Sequence, residues 1–449
     1  MKEETVKRRD ALRTIGGMGA LAVGGVGAED AGAKASKPQA KISTLTTPDL
    51  SKAWASYYAA IDEMRALIEA TPRYEKYPRG RAKAYHVLMA MQAMTYNFAI
   101  APRMTHPRIF RNCAWQTDQY AVGQNGPDFR YGLAFVDGRH SYRLHGRMGD
   151  QPLVLCEVVN GLFGGKGVKP MANYDWHDFT IAPDGSYEII VSANPQPGNW
   201  IKLDPESRYQ LLFIRRTLSN WHGDPGEMSL DRIGELPEGY YDEDEFDEAA
   251  MAIRIKRAED FYRFLATYFA IGLWDTYFKG ADNHTNKLTL FGGASEKAIK
   301  GGSPSSNYAL GLFELKEDEA LIIEMDEMPD GAYWSFQLAD AWSYTLPYHT
   351  RHTSLNDQQI AHDPDGKLRL VISKRDPGIR NWLDTCGRDS GEIAFRNYRA
   401  KNAPVPTTSK VKFAELDALL PKDVARVTPQ QRKEIIEDRR QAQLKWYGE

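Results

Sequence analysis

The sequence has few cysteines and little net charge. Its 449 residues include three cysteines, and 57 lysine and arginine residues nearly balance 60 aspartate and glutamate residues, for a formal charge of −3. Three scattered cysteines exclude a disulfide framework and a cysteine metal cluster, so one bridge at most is allowed and buried free thiols are expected. The charge balance leaves no basic footprint, so we expect no nucleic-acid partner.

Long apolar runs and familiar catalytic motifs are also missing. No segment approaches the roughly 18 apolar residues that cross a bilayer, so we expect no integral membrane segment in the mature protein. There is no G-x-S-x-G elbow, phosphate-binding glycine loop or H-E-x-x-H motif. His349 and His352 lack a third ligand at a characteristic spacing, so we predict neither a metal nor another cofactor.

The first 35 residues have the pattern of an export signal. Arg8 and Arg9 precede a short, weakly apolar stretch over 15–27, and two A-x-A cleavage motifs follow within 31–35. Such a stretch is too short for a membrane anchor. The paired arginines resemble a twin-arginine signal, although Ala11 stands where an aromatic residue is usual. We therefore predict a periplasmic protein that uses the twin-arginine export machinery.

Hydrophobic periodicity predicts a mainly β protein with added helices. Apolar residues at helical spacing indicate a helical pair, the first helix beginning near a Thr47 cap and the second containing Met89, Met91 and Met94 as core filler. Short alternating runs punctuated by glycine and aspartate indicate strands. The predicted segments are 1–35 signal, 36–107 linker and helices, 108–234 first sandwich, 235–307 acidic linker, long helix and Gly/Ser-rich loop, 308–400 second sandwich, and 401–449 tail with helix.

An internal duplication relates the two predicted sandwiches. Residues 183–192 align without a gap with residues 364–373, and Trp200 downstream of the first segment is matched by Trp382 downstream of the second. A shared Asp-Gly turn alone would be weak support, because such hairpins are common. Here turn, strand, Pro-Gly and Asn-Trp elements recur in one order. We predict two jelly-roll-like antiparallel β-sandwiches, with both tryptophans in equivalent, largely buried positions.

Polar and aromatic residues are concentrated in the second copy. Residues 333–338 alternate as a strand, which puts Trp334 and Gln337 on opposite faces. The following loops carry groups suited to acid–base chemistry and arginines suited to a carboxylate or a sugar. The catalytic candidates are Arg351, Asp376, Asp357, His349 and Asp384, and the substrate-binding candidates are Trp334, Gln337, Trp342, Tyr348, Asn356 and Arg375.

These residues leave more than one function open. An enzyme, a hydrolase or a lyase, would act on a glycosidic or aromatic small molecule, with two carboxylates flanking the reacting bond. A non-catalytic sandwich would bind a glycan or other ligand on its aromatic rings, and an envelope scaffold would use the duplicated domains for assembly. The charged groups occur in one copy only, which favours the enzyme. Arg351 and Asp376 are predicted to form either a functional pair or a salt bridge between loops.

Three motifs of the second copy resemble a bacterial domain-of-unknown-function family, number twelve-fourteen. They are Tyr333-Trp334-Ser335-Phe336-Gln337-Leu338, Arg351-His352-Thr353-Ser354-Leu355-Asn356, and Arg375-Asp376-Pro377-Gly378 with Asn381-Trp382-Leu383-Asp384-Thr385. The resemblance covers about 308–400, and the upstream half resembles the companion twelve-fifty-four domain. It implies paired jelly-roll-like domains similar to glycan-handling sandwiches, but no established reaction. The family usually has Gln at the position of His352.

Overall fold

The described residues form two β-sandwiches, with helices before and between them. The structure is a computed structural model that describes residues 49–77, 79–109, 121–236, 246–278, 284–291 and 305–447. The predicted export signal, the Thr47 cap and Cys113 lie outside these ranges. Of the other two cysteines, Cys156 is a buried free thiol and Cys386 a partly buried one. No described helix is both long and apolar enough to cross a membrane.

Three helices precede the first sandwich: α1 (Leu50–Glu69), α2 (Pro72–Lys76) and α3 (Gly80–Thr95), the last continued by a wider turn over Tyr96–Ile100. The carboxylate of Asp49 caps α1 by accepting a hydrogen bond from the Lys52 amide, as expected for an N-cap residue. Met91 and Met94 are buried, but Met89 is 62% exposed. The core role predicted for Met89 is therefore wrong, because it lies on the solvent face of α3.

The first sandwich packs two four-stranded sheets face to face. Its sheets have the orders β1-β7-β3-β4 and β6-β5-β2-β8. Inward side chains of both sheets, among them Ala134, Leu144 and Ile214, form one apolar core. The strands are β1 (Phe129–Val136), β2 (Ser141–Arg147), β3 (Leu153–Val159), β4 (Pro170–Asp175), β5 (Ser186–Ser192), β6 (Trp200–Lys202), β7 (Gln210–Thr217) and β8 (Glu227–Ile233).

A long helix then joins the two sandwiches. Helix α4 (Glu248–Phe264) begins at Asp247, whose carboxylate accepts a hydrogen bond from the Ala250 amide. It continues with wider i→i+5 turns over Leu265–Phe278. Apolar residues of this helix pack with α1, α3 and the outward faces of both sandwiches in one shared core. The helix therefore fixes the sandwiches to each other as well as linking them in sequence.

The second sandwich repeats the strand order of the first. Its sheets have the orders β13-β12-β16-β10-β9 and β15-β14-β11-β17. Strands β10 to β17 correspond one to one with β1 to β8, and the pairs β5–β6 and β14–β15 are both parallel. The strands are β9 (Thr289–Leu290), β10 (Ser306–Glu314), β11 (Glu319–Met325), β12 (Tyr333–Ala339), β13 (Ser354–Asn356), β14 (Leu368–Ser373), β15 (Trp382–Asp384), β16 (Ser390–Tyr398) and β17 (Thr407–Lys412). The predicted mainly β fold of two tandem sandwiches is confirmed.

The duplicated tryptophans occupy equivalent positions but differ in burial. The Trp200 indole donates to Ser192, and the Trp382 indole donates to Ser373 in the same way. Trp382 is 5% exposed, whereas Trp200 is only partly buried. The two positions are thus equivalent, as predicted, with Trp382 more deeply buried than Trp200. The difference arises because the guanidinium of Arg432 lies 5.1 Å from the Trp382 ring centre.

Arg432 belongs to a C-terminal segment that covers one face of the second sandwich and also contacts Trp221 and His222 of the first. This segment contains α5 (Leu416–Leu419) and α6 (Pro429–Tyr447). Leu416 and Leu420 pack on the outward side chains of β11 and β14. The first sandwich has a polar outward face at the same place, with Arg143 and His145 both close to Asp231.

Candidate ligand site between the sandwiches

The three predicted aromatic platforms are buried. Trp334 packs in the core of the second sandwich, as its strand face predicts. Trp342 lies beneath the Arg73 guanidinium, 4.5 Å from the ring centre. Tyr348 packs with Trp221 and Ala442 of α6. These rings stabilise the fold, so the expectation that they form an open stacking surface has to be corrected.

The predicted charged residues have separate partners. Arg351 pairs with Asp384 at 2.5 Å, and Asp376 pairs with Arg432 at 2.9 Å. Arg351 and Asp376 therefore do not form the predicted pair, because helix α6 supplies the arginine that binds Asp376. Burial raises the pKa of Asp384 despite the neighbouring Arg351. The guanidinium of Arg375 lies over the Phe413 ring at 4.3 Å.

Asn356 does reach a polar cluster where the two sandwiches meet. Its amide donates to the Asp128 carboxylate at 2.5 Å and to the Ser219 carbonyl at 2.9 Å. The same carboxylate accepts hydrogen bonds from the Trp221 indole and the Tyr333 hydroxyl, both at 2.6 Å. This buried carboxylate thus binds groups from both sandwiches.

Asp357 and His349 lie at the edge of that cluster. Burial raises the pKa of Asp357 to about 6, with the Ser219 hydroxyl opposing the rise and the Asp128 carboxylate adding to it. His349 is partly buried, with its ring 6.1 Å from that of Tyr348. Among the predicted catalytic carboxylates, Asp357 alone is thus shown beside a second carboxylate, which is Asp128. Asp128 already accepts hydrogen bonds from three side chains.

Two tyrosine–arginine pairs face each other across the same interface. In the first sandwich Tyr131 is directly opposite Arg215 in the register of β1 and β7. In the second, Tyr308 is opposite Arg396 in the register of β10 and β16. Because side chains alternate along a strand, all four lie on the outward faces of their sandwiches. These two outward faces pack against each other. Phe129, which lies next to Tyr131 on the first face, packs edge-on against Tyr333 of the second at 5.3 Å. The duplication has therefore placed two like pairs in one interior space.

The two arginines differ in how their charge is balanced. Arg215 is 3% exposed and pairs with the buried Glu157 at 3.0 Å. Arg396 is 7% exposed and donates to the neutral side-chain oxygen of Gln337 and to the Gln124 carbonyl. Within the described ranges no carboxylate pairs with Arg396. A buried cation without an anion is costly, so this one suits a negatively charged ligand.

The phenols beside these arginines differ in acidity. Burial favours the neutral form of Tyr308, but the charges of Arg396 and Arg215 outweigh it and lower the pKa of this phenol. Burial raises the pKa of Tyr398, whose hydroxyl lies 3.1 Å from that of Tyr308. Burial likewise raises the pKa of Tyr131. Tyr308 is therefore the phenol of the three that loses its proton most readily.

The exposure of these side chains and the groups they carry limit the kinds of ligand that this interface can bind. Tyr131 and Tyr308 keep partial exposure, while both arginines and Tyr398 are buried. In the described part of the chain no three His, Cys, Asp or Glu side chains are grouped as metal ligands. The described residues thus offer anion binding, aromatic contact and proton transfer.

Residues 314–402 match the family DUF1214, whose description is a protein of unknown function. These residues are a DUF1214 domain. The match confirms the family predicted from the sequence motifs, and it contains Gln337, Asn356, Arg396 and Tyr398. Tyr308 lies just before the matched segment, and Asp128, Tyr131 and Arg215 lie in the first sandwich, so the site needs more than this domain.

The fold is shared with a protein of known structure. An uncharacterised protein from Burkholderia cenocepacia is 27% identical, with a TM-score of 0.72 over 82% of this chain and 98% of its own. This match extends far beyond the DUF1214 domain. The VPA0106 protein from Vibrio parahaemolyticus is 13% identical, with a TM-score of 0.39 over 82% of this chain and 100% of its own, too low to support an argument. No curated protein matches this chain.

Sequence reasoning missed the central tyrosines and arginines. The duplication holds a signal for them, because Tyr-Gly-Leu-Ala-Phe-Val at 131–136 resembles Tyr-Ala-Leu-Gly-Leu-Phe at 308–313. Extending the repeat in this way aligns Tyr131 with Tyr308. No comparable signal points to Asp128, since its partners come from three distant parts of the chain.

Proposed function

We propose that this protein is a lyase that binds a small β-hydroxy carboxylate, such as one with an aromatic substituent, between its sandwiches. The single observation that carries the proposal is Arg396, a buried guanidinium whose described partners are a neutral amide and a carbonyl. A substrate carboxylate would supply the missing anion. The rings of Tyr131 and Phe213, stacked at 5.8 Å, supply an aromatic wall.

The chemistry follows from the paired phenols. With the carboxylate held on Arg396, the Tyr308 phenolate takes a proton from the carbon beside it. The electrons of that C–H bond form a double bond as the bond to a leaving oxygen on the next carbon breaks. Tyr398, which stays protonated, gives its proton to the leaving oxygen. A proton then passes from Tyr308 to Tyr398 across the 3.1 Å contact between their hydroxyls. This transfer restores the Tyr308 phenolate and the neutral Tyr398 with which the reaction began.

A hydrolase is less well supported. Glycoside hydrolysis uses two carboxylates on either side of the bond, and Asp376 and Asp384 are each bound to their own arginine. The alternative is a binding protein without catalysis, which would use Arg396 in the same way but would not need the acidic Tyr308. Proton exchange separates the two functions.

The test uses the purified mature protein and a panel of aryl and β-hydroxy carboxylates. Binding is measured by calorimetry, exchange of the substrate α-proton in D₂O by NMR, and elimination by ultraviolet absorbance of the new double bond. Tyr308→Phe should abolish exchange and elimination while retaining binding. Arg396→Gln should weaken binding at least tenfold, on the scale of about 1.4 kcal/mol per tenfold.

Tyr131→Phe is the matched control, since it removes the equivalent hydroxyl of the first copy, whose pKa is raised. It should keep exchange within a few-fold of the wild-type rate, and melting temperatures report whether each variant folds. Binding that depends on Arg396 without any exchange would mean a binding protein. Unchanged exchange in Tyr308→Phe would overturn the lyase assignment.

We also propose that the protein works in the periplasm after twin-arginine export. Arg8 and Arg9 with the short apolar stretch after them support this, because that route reads the arginine pair. The Arg8→Lys, Arg9→Lys double variant should leave the precursor in the cytoplasm in a cell-fractionation experiment. Normal periplasmic levels of that variant would reject the signal assignment. A Lys2→Arg, Lys7→Arg variant with the pair intact is the control.

A further inference from the structure

A cavity lies between the loops of the second sandwich and helix α6. Its volume is about 500 Å³, within the range of small-molecule sites. His352 and Arg439 line its floor, and Arg380 and Arg426 line it from the segments around β15 and before α6. None of these residues takes part in the lyase proposed above.

His352 is a fixed hydrogen-bond acceptor in this cavity. The ring is 2% exposed and stacks on Trp382, with 6.2 Å between ring centres and 14° between planes. Its Nδ1 is bonded to the Trp382 carbonyl, and because a carbonyl only accepts, Nδ1 carries the hydrogen. Burial lowers the pKa of His352, with Arg439 and Arg432 adding to the effect. The ring is therefore neutral, and its Nε2 keeps a lone pair that can accept a hydrogen bond.

The floor beneath the imidazole is rigid. Arg439 donates to the Tyr348 carbonyl at 3.0 Å and to the Ser354 hydroxyl at 2.7 Å. Its guanidinium also lies 4.4 Å from the centre of the Trp221 ring. With these donors engaged, Arg439 shapes the cavity without needing a ligand.

The remaining charges are mostly paired, with two exceptions. Arg426 binds Asp417 at 2.7 Å, and Asp438 binds His222 at 2.8 Å. The Glu434 carboxylate, which also lines the cavity, accepts a hydrogen bond from the neutral Gln430 amide at 3.0 Å. Arg380 is exposed, and none of the described side chains pairs with its guanidinium. Its backbone amide donates to the Ala425 carbonyl at 2.8 Å, so the cavity offers one available cation on an ordered backbone.

We propose that this cavity is a binding site for a sugar acid. The carboxylate of the sugar acid would bind Arg380, and one of its hydroxyls would donate to His352 Nε2. The amides of Gln358 and Gln431, which also line the cavity, would bind further hydroxyls. The apolar face of the sugar ring would pack on Leu355 and Ile435. An amide-rich cavity with a fixed acceptor and one free cation matches a polyhydroxylated carboxylate better than an apolar ligand.

The test uses the full mature protein with glucuronate as the probe and glucose as its uncharged counterpart. Calorimetry should show glucuronate binding that Arg380→Ala weakens at least tenfold. The nitrogen NMR signal of His352 Nε2 should shift on addition of glucuronate, while Nδ1 keeps its hydrogen. Arg440→Ala is the matched control, because Arg440 is on α6 but pairs with Glu437, and it should leave binding unchanged.

Three results would overturn the proposal: no glucuronate binding at millimolar concentration, equal effects of Arg380→Ala and Arg440→Ala, or equal affinity for glucose and glucuronate. Arg396→Gln separates the two sites of the molecule. If that variant alone abolishes glucuronate binding, the probe occupies the interface between the sandwiches and this cavity is not its site. Failure of the lyase assays has no bearing on this result.

Discussion

Arg215 and Arg396 are equivalent residues of the two sandwiches, and they bind a glutamate and a glutamine at equivalent positions of β3 and β12. Each arginine also lies opposite a tyrosine on the neighbouring strand. The duplication therefore produced two similar pairs, and the change from carboxylate to amide left one of them with a net positive charge. This asymmetry distinguishes a structural ion pair from a candidate anion site.

The Gln337 amide is required by its surroundings, and Gln337→Glu should destabilise the protein. Its Nε2 donates to the Gln124 and Asn125 carbonyls at 3.3 and 3.1 Å, which a carboxylate cannot do. We expect a loss of about 1–3 kcal/mol, since each buried carbonyl loses one of its two donors and then faces a carboxylate, while Arg396 and Thr345 still donate to them. Urea denaturation measures the loss, and unchanged stability of the variant would contradict this account.

Asp128 holds the two sandwiches together, and Asp128→Asn should weaken that contact. An amide has one acceptor oxygen, so it cannot accept from the Trp221 indole, the Asn356 amide and the Tyr333 hydroxyl together. The Tyr333 hydroxyl then donates to the Ser335 hydroxyl at 2.7 Å instead, and with the charged acceptor lost we expect a loss of about 1–3 kcal/mol. Thermal and urea unfolding measure the change. Asp326→Asn, at an exposed carboxylate, is the control and should change stability by less than about 0.5 kcal/mol.

The duplicated asparagines provide a matched pair of variants. Asn199 donates to the Thr180 and Glu188 carbonyls, and Asn381 donates to the Ala361 and Arg369 carbonyls in the same way. Asn381 is buried but Asn199 is only partly buried, so water can replace the lost bonds at Asn199 alone. We expect Asn381→Ala to cost about 2–3 kcal/mol and Asn199→Ala about 1 kcal/mol in urea unfolding. Equal costs would mean that burial does not set the difference.

Glu392 should make stability fall as pH rises. Burial raises its pKa from 4.5 to about 8, with donors from Gln124 and Ser343 opposing the rise and Asp340 adding to it. Below pH 4.5 the Glu392 carboxyl is neutral in both the folded and the unfolded chain, and its full contribution to the free energy of unfolding is present. Between 4.5 and 8 the unfolded chain releases the proton and the folded chain retains it, so the free energy of unfolding falls by about 1.4 kcal/mol per pH unit. Above about pH 8 the loss stops.

Urea unfolding of wild type and Glu392→Gln at several pH values between about 5.5 and 7.5 isolates this contribution. The wild type should lose about 1.4 kcal/mol more per pH unit than the variant, because the amide does not titrate. Parallel pH profiles for the two proteins would show that Glu392 is ionised in the folded state.

Several features of this protein follow from the sequence by itself. Alternation along 333–338 assigns Trp334 to one face and Gln337 to the other, because side chains of a strand alternate with a period of two. The repeated turn, strand and Asn-Trp elements establish the duplication, since a backbone that needs the same turn and the same buried donor keeps the same residues. Helical periodicity likewise predicted the helical pair before the first sandwich and the long helix between the sandwiches.

The tertiary structure alone decided what covers each face. A period of two tells which side chains share a face, but nothing about the distant segment that packs on it. Gln337 contacts the segment around Asn125 and is therefore part of a buried interface. Asp376 is bound by Arg432 and therefore holds helix α6 against the second sandwich. Tyr308 and Arg396 are far apart in sequence and ordinary in local pattern. They become a candidate site because hydrogen bonds between β10 and β16 place them side by side, and because the outward face of the first sandwich packs against theirs.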